Sequence, residues 1–277
     1  MRTRSAAWSL LLPFRLRRVF ALYLQYGDQH QASGLAVLRE QVQRLFPMSP
    51  ASFLVIDNAL PAAAAPVVDG DVTLLAGDNA NREFSGWDRG LAWLRDHREV
   101  SPTDVVLLAN DTFHRSYGTG YLELFRPAAV GWALRRDALV GYLDAFPEPV
   151  QAFGRELRSW ARTSFVITTA GTLYALLPLQ LADVDAKVFS STPGQFFRPD
   201  APLSDRYQAY LQTWLFGERA GVDGFQERWH GQAGLTEANA EAMRQKARCI
   251  FAEHQLSARA RARGVPVVDV RGVTYAL

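Results

Sequence analysis

Short, almost wholly apolar runs that stop abruptly at acidic or amide side chains constrain this chain more than any other feature. Ser52–Ile56 ends at Asp57-Asn58, Val72–Ala76 at Gly77-Asp78-Asn79 with Asn81 close behind, and Asp104–Ala109 at Asn110-Asp111-Thr112. A further run, Val19–Tyr26, precedes them and ends at Gly27-Asp28. Strands that are apolar along their length are buried on both faces, as in a parallel sheet covered by helices. Helical spacing fills the gaps. Leu35, Val37, Leu38, Val42, Leu45 and Phe46 make Gly34–Phe46 an amphipathic helix closed by Pro47, and a second helix is expected over about residues 85–97. Pro61–Pro66, with its four alanines, reads as a loop. The order strand, helix, strand, strand, helix, strand predicts an α/β protein with a mostly parallel, Rossmann-like sheet flanked by helices. In such sheets ligands bind beyond the carboxyl ends of the strands, so polar residues collected there mark a crevice.

The chain changes character after residue 125. Val130-Gly131-Trp132 and Val140-Gly141-Tyr142 repeat an apolar–glycine pattern, where a bare backbone permits close approach to another strand or to a ligand. Ser159, Trp160, Arg162 and Thr163 form a cluster with two readings: an aromatic face and a guanidinium for a sugar hydroxyl or a phosphate, or a helix end with Trp160 in the core. Phe165–Thr169 reads as a strand and Thr172–Leu181 as a helix interrupted near Pro178. From about residue 203 the pattern is helical: Tyr207, Tyr210, Leu211, Trp214 and Leu215 recur at helical spacing, and Ala238–His254 is a long helix. Val267–Val270 is a last short strand.

Composition and absent motifs remove several function classes. The formal net charge is only +2, so no global field favours nucleic acid. The single cysteine, Cys249, forms no internal disulfide, suits a reducing, cytoplasmic compartment, and reads as a buried structural thiol. Five histidines show no metal-ligand spacing, which argues against zinc; His230 reads as a loop residue. No Walker loop, GxGxxG or GxSxG occurs, against a kinase, an NAD enzyme and a serine hydrolase. Residues 1–18 carry Arg2, Arg4, Arg15, Arg17 and Arg18 around the apolar stretch Ala6–Phe14, too short to span a bilayer. They read as a basic leader, or as a peripheral contact with the anionic inner face of a membrane through Trp8 and neighbouring leucines.

Several elements resemble one family. Leu107-Leu108-Ala109-Asn110-Asp111-Thr112 resembles the "apolar strand, then Asn-Asp-Ser/Thr" element of bacterial polysaccharide glycosyltransferases of the rhamnan-synthesis, family 2-like type, within the GT-A superfamily. Asn81–Gly90 resembles that superfamily's lead-in to the helix before the metal-binding strand, and Phe251–Ser257 with Gly264-Val265-Pro266 resembles its "Glu, two residues, Leu-Ser, then Gly" close. The resemblance covers roughly residues 18–270. It implies a GT-A-like domain over residues 19–277, with a nucleotide-binding half (19–125) and an acceptor-side half (126–277) ending in helices. It implies a sugar transferase for bacterial surface polysaccharide, using a nucleotide-sugar donor and a saccharide or lipid-linked acceptor. By position, Asp57, Asp78, Asn81 and Asn110 meet the donor, Trp160, Arg162 and Thr163 the acceptor, and Asp111 is catalytic and binds Mg²⁺ or Mn²⁺. Here Asn110 and Thr112 flank the only carboxylate of the usual Asp-x-Asp, which weakens a cation site. Glu253 is the first candidate for catalytic base, with Asp144, Glu156 and Glu218 behind it. Asp57 and Asp78 also suit turn closure, and Glu253 a structural pair. A catalytically silent sugar- or nucleotide-binding relative, or another nucleotide-dependent α/β transferase, stands as the alternative.

Overall fold

The structure, a computed structural model, describes residues 17–115, 118–217 and 234–272. Residues 1–16 of the basic leader, Glu218 and His230 lie outside the described residues. The first half follows the apolar pattern closely: β1 (Val19–Gln25), α1 (Gln31–Leu45), β2 (Ala51–Asp57), β3 (Val67–Asp69), β4 (Val72–Ala76), α2 (Arg82–His97) and β5 (Val105–Asn110). The second half runs α3 (Pro127–Leu134), β6 (Leu139–Ala152), β7 (Arg155–Thr169), α4 (Ala170–Ala175), α5 (Val184–Val188), α6 (Asp205–Phe216), α7 (Glu237–Ala262) and β8 (Val267–Asp269). The described C-terminal part thus carries two longer helices, α6 and α7, before a closing strand.

One eight-stranded mixed sheet runs through both halves in the order β3-β4-β2-β1-β5-β7-β6-β8. The core β4-β2-β1-β5 is parallel, β8 pairs parallel with β6, and β3, β7 and β6 make antiparallel pairs. Successive residues of β1 alternate between two hydrophobic layers, as the period of two in a strand requires. Phe20, Leu22 and Leu24 face α2, α4 and α7 with Trp87, Leu91, Leu173 and Leu256. Val19, Ala21 and Tyr23 face α1 and α3 with Leu38, Val42 and Ala133. Helix α2 approaches the sheet closely because it lacks a side chain at Gly86; a Cβ there would sit 2.2 Å from Leu24 Cδ1.

The second half departs from expectation in one respect that matters. Residues 139–169, of which only Phe165–Thr169 reads as a strand in the sequence, are one long hairpin. Phe153 and Gly154 turn it at φ of 52° and 72°, the positive values that a tight hairpin turn needs. Pro147 and Pro149 fall where pairing slips between Ala145 and Val150, consistent with their missing donors. A Cβ on Gly141 would meet Ala161 Cβ of β7 at 3.0 Å, so this glycine serves the approach of a strand and not of a ligand. Gly131 lies in α3, and the helix expected over Thr172–Leu181 ends at Ala175. A third apolar cluster joins the hairpin to the C-terminal helices through Phe146, Trp160, Tyr207, Leu211 and Phe251. Among the described residues no helix is long and apolar enough to cross a membrane.

Candidate functional site

Strand β1 sits between β2, which leads outward to β4, and β5, which leads outward to β7. The loops following β1 and β5 meet at the carboxyl ends of the parallel strands, where ligands bind in open α/β sheets; Tyr26 N donates to Asp111 at 3.4 Å and Ser33 Oγ bonds to His114 at 3.2 Å. A cavity of about 490 Å³ opens there. Leu24 and Tyr26 at the end of β1, Asn58 after β2, and Asn110, Asp111 and Thr112 at the end of β5 form one side of its wall. Asn79, Arg82 and Glu83, from the turn into α2, and Gln245 of α7 complete it.

Of the four expected donor residues Asn110 reaches the cavity, as does Asp111, expected to be catalytic and to bind the cation; Asp57, Asp78 and Asn81 do not line it. Asp57 is 5% exposed and its carboxylate accepts from Gln25 Nε2 (3.0 Å), Gly27 N (2.8 Å) and Ala59 N (2.8 Å), so it holds the loop after β1 against the loop after β2. Asp78 is exposed and accepts from Ala80 N at 3.0 Å, closing its own turn. Asn81 is buried, its oxygen 3.9 Å from Cys249 Sγ. For Asp57 and Asp78 the turn-closing role, rather than a ligand-facing one, describes the geometry. Asn58 and Asn79, expected among the strand-end polar residues that mark the crevice, do line it, whereas the sequence reading missed Arg82, Glu83 and Gln245. The available signal was position: Arg82 and Glu83 open the helix that follows a polar strand end, and acidic residues there are usually taken for dipole partners. Asn79 and Arg82 hold φ of 50° and 45°, sparsely populated values for non-glycine residues.

Electrostatics ties the wall carboxylates together. Burial pushes the Glu83 carboxyl above its ordinary value, and the Asp111 charge adds to this while Arg82 opposes it. Burial also raises Asp111, against the Tyr26 amide at 3.4 Å and the fields of His30, His114 and Arg115. The buried Tyr23 hydroxyl is pushed up by burial and by Asp111. Glu253 stands outside the wall, on α7, and is pushed up to about 7, first by burial and then by Glu83 and Asp144. Its Oε1 accepts from Thr163 N at 2.6 Å and Thr163 Oγ1 at 3.1 Å. Asp111, Glu83, Glu253 and Asp144 therefore form a linked series of carboxylates leading from the cavity into the hairpin.

The acceptor-side cluster divides. Thr163 meets Glu253, and Arg162 forks onto Asp144 at 2.5 and 2.9 Å while lying 4.6 Å over the Tyr142 ring. Trp160 requires a correction. It lies in β7, 7% exposed, with Phe146 and His254 at 4.6 and 4.2 Å between ring centroids, so protein covers the face expected to stack on a sugar. Glu156 pairs with exposed Arg158 near the hairpin turn.

The donor set does not match the dication site implied by the resemblance. Asn110 Oδ1 already accepts from Thr112 N (3.2 Å) and Thr112 Oγ1 (2.8 Å). Asp111 is then left as the one carboxylate at the end of β5, with the Arg115 guanidinium acting on it. Among the described residues no three His, Cys, Asp or Glu side chains are grouped to hold a metal ion. Compared with known proteins, no family model matches this chain and no curated protein matches it.

Proposed function

We propose that this protein transfers a sugar from a nucleotide-activated donor to a saccharide or lipid-linked saccharide acceptor, with the donor in the cavity between β1 and β5. The observation that carries this reading is the convergence of Asn110 and Asp111 from β5 with Glu83 from α2 on one cavity at the switch point of the sheet. Its volume of about 490 Å³ lies within the ~300–1,000 Å³ range of small-molecule sites. Carboxylates and amides suit a ligand rich in hydroxyls, and a carboxyl that burial raises is a stronger base than a solvated one. Of the linked acids, Glu83 faces the cavity and takes the proton of the acceptor hydroxyl as its oxygen bonds to the anomeric carbon. Glu253 stands outside the wall, and the Glu83 charge helps to raise it. The resemblance of the Asn110-Asp111-Thr112 and Glu253 segments to polysaccharide glycosyltransferases supports the same assignment. The single buried Cys249 fits a cytoplasmic enzyme, and the arginines of residues 1–18 fit a peripheral contact at the membrane's inner face.

The test is to incubate the protein with UDP-, GDP- and dTDP-sugars and to follow thermal stability and release of nucleoside diphosphate. A donor that binds only the folded state raises stability by about 2.7 kcal/mol at a hundredfold excess over its Kd. Selective stabilisation with diphosphate release, lost in Glu83→Gln, supports transfer. Stabilisation without release under any acceptor leaves a binding module. A folded protein that responds to none of the donors removes the reading.

A further inference from the structure

The end of the sheet opposite the cavity carries a surface of another kind. Val19 of β1 is in register with Ala51 of β2 and Val105 of β5, and Val105 with Thr169 of β7. Thr169 Oγ1 donates to Asp137, just ahead of β6, at 3.1 Å, and Leu139 N donates to Pro266 O, just ahead of β8, at 2.8 Å. The segments that lead into β2, β1, β5, β6 and β8 therefore share one end of the molecule. Arg17 and Arg18 precede β1, Arg98 precedes β5, Arg135 and Arg136 precede β6, and Arg263 precedes β8. Acidic groups among them are fewer. Asp96 pairs with Arg95 at 3.2 Å, the buried Asp104 pairs with Arg18 at 3.5 Å, and Glu99 and Asp137 are exposed. Asp69 and Asp71 lie further out, at the β3–β4 corner, where Arg39 meets Asp71.

Helix carboxyl ends attract cations, and α1, α2, α3 and α7 all end here, so each arginine has a local reason. That reason does not extend to the apolar side chains between them. Trp132 is 47% exposed, with the Arg136 guanidinium 3.6 Å over its ring, and Met48, ahead of β2, is 62% exposed. Trp93 of α2 carries Arg98 over its ring at 4.9 Å in the same way. Tryptophan beside arginine is the chemistry of a membrane interface, with the ring at headgroup level and the guanidinium on lipid phosphate. The sequence extends the pattern. Residues 1–16 join the fold at this same end, ahead of Arg17, and hold Arg2, Arg4, Arg15, Trp8 and Leu10–Leu12 with no acidic residue.

We infer that this end of the sheet, from Arg18 across Trp132 and Arg136 to Arg263, docks on an anionic lipid bilayer, so that the cavity opens away from the lipid. Strand β1 is seven residues long, about 20 Å at ~3.3 Å per residue, which sets the height of the cavity above the headgroups. Resting on the transferase reading for what the cavity holds, this height selects the acceptor. A sugar attached directly to a lipid diphosphate stays at headgroup level and does not reach. The far end of a longer saccharide does.

The test uses the intact chain and vesicles, with no donor present. The protein should sediment with phosphatidylcholine vesicles containing roughly a third phosphatidylglycerol but not with phosphatidylcholine alone, and added salt should release it. Each arginine removed from the surface should weaken binding by about fivefold, so Arg135→Gln combined with Arg136→Gln should lose more than an order of magnitude. Trp132→Ala should weaken it as well, and Arg263→Gln repeats the single-arginine loss if the paired variant folds poorly. Arg158→Gln combined with Arg206→Gln removes the same charge beside the far part of the hairpin and should leave binding unchanged. Orientation is read with a fluorophore on Thr103→Cys, exposed ahead of β5, or on Ala80→Cys, exposed in the turn before α2; the buried Cys249 stays unlabelled. Nitroxide lipids should quench the first and not the second. Indifference to anionic vesicles, equal losses from both arginine pairs, or quenching at Ala80→Cys overturns the inference. The donor titration is separate: protein that docks but answers no donor loses the transferase reading and keeps the docking surface.

Discussion

The parallel half of the sheet and the hairpin half are built on different principles. In β1, β2 and β5 nearly every residue is buried, so each strand serves two hydrophobic layers at once and leaves its polar residues to the ends. In β6 and the first part of β7 burial is patchy, with exposed residues at Ala145, Pro147, Glu148, Pro149 and Arg158, and one apolar cluster tied to α6 and α7 covers it. The consequence is chemical. The parallel half concentrates polar groups at one rim, where a cavity forms, whereas the hairpin half carries its titratable groups inside the fold, at His254 and Glu253. A strand wet on neither face exports its chemistry; a strand partly wet can bury it.

The sharpest way to break this comparison is to empty one core at a time. Trp87→Ala in the parallel half and Phe251→Ala in the hairpin half each remove a fully buried ring and should cost about 3–5 kcal/mol. Because one sheet runs through both, each should lower a single calorimetric transition. Two transitions, with Phe251→Ala shifting only one, would show that the halves unfold separately.

Next in size is the acid limb of stability, which should belong to the hairpin half. His254 is buried and bonded to the Tyr207 hydroxyl at 2.7 Å, and burial pulls it down to about 3. Its folded value lies below its unfolded one, so stability is lost as pH falls through about 6.5 and continues to fall towards 3. The loss is on the order of 4 kcal/mol. Thermal midpoints between pH 3 and 7 should therefore fall more steeply for the wild type than for His254→Gln; equal slopes would show that His254 is not the group responsible.

Glu253 should act in the opposite direction. Its folded value, about 7, is raised above the ordinary 4.5, so its contribution is fully present below about pH 4.5 and is lost as pH rises through 7. Glu253→Gln keeps an acceptor for Thr163 and removes the titration. The variant should gain on the wild type by up to about 3 kcal/mol between pH 5 and 8. A pH-independent difference would remove Glu253 from the linked series of acids.

The smallest effects should come from ion pairs. Arg162→Gln, losing a half-buried fork onto Asp144, should cost about 1 kcal/mol, and Arg39→Gln, losing an exposed pair with Asp71, less than about 0.5 kcal/mol. Urea midpoints that reversed this order would show that the Asp144 pair serves the site rather than the fold.

Much of the parallel half could be read directly from the residues. Val72–Ala76 is a strand with the expected bounds, and β1, β2, β5, α1 and α2 lie within a few residues of expectation, because complete apolar burial leaves a dense local pattern. The hairpin was less legible. Arg155–Thr163 mixes charged, aromatic and small residues because β7 faces solvent at Arg158, an aromatic cluster at Trp160 and a buried acid at Thr163. No single period survives those three environments. Strand β3 went unrecognised because all three of its residues are exposed, leaving no apolar contrast to read.

The candidate site divides along the same line. The sequence alone determined that polar residues gather at the carboxyl ends of buried strands, since that follows from which residues the strands themselves exclude. Only the tertiary structure decided which of those ends meet. Asp57 is spent on Gly27 and Ala59, while Asn110 and Asp111 share a cavity with Glu83 and with Gln245 of the distant α7. Likewise Glu253 accepts from Thr163, 90 residues earlier in the chain. Burial along a strand is a one-dimensional property written in neighbouring residues. The field at a carboxylate is set by groups that folding brings from elsewhere.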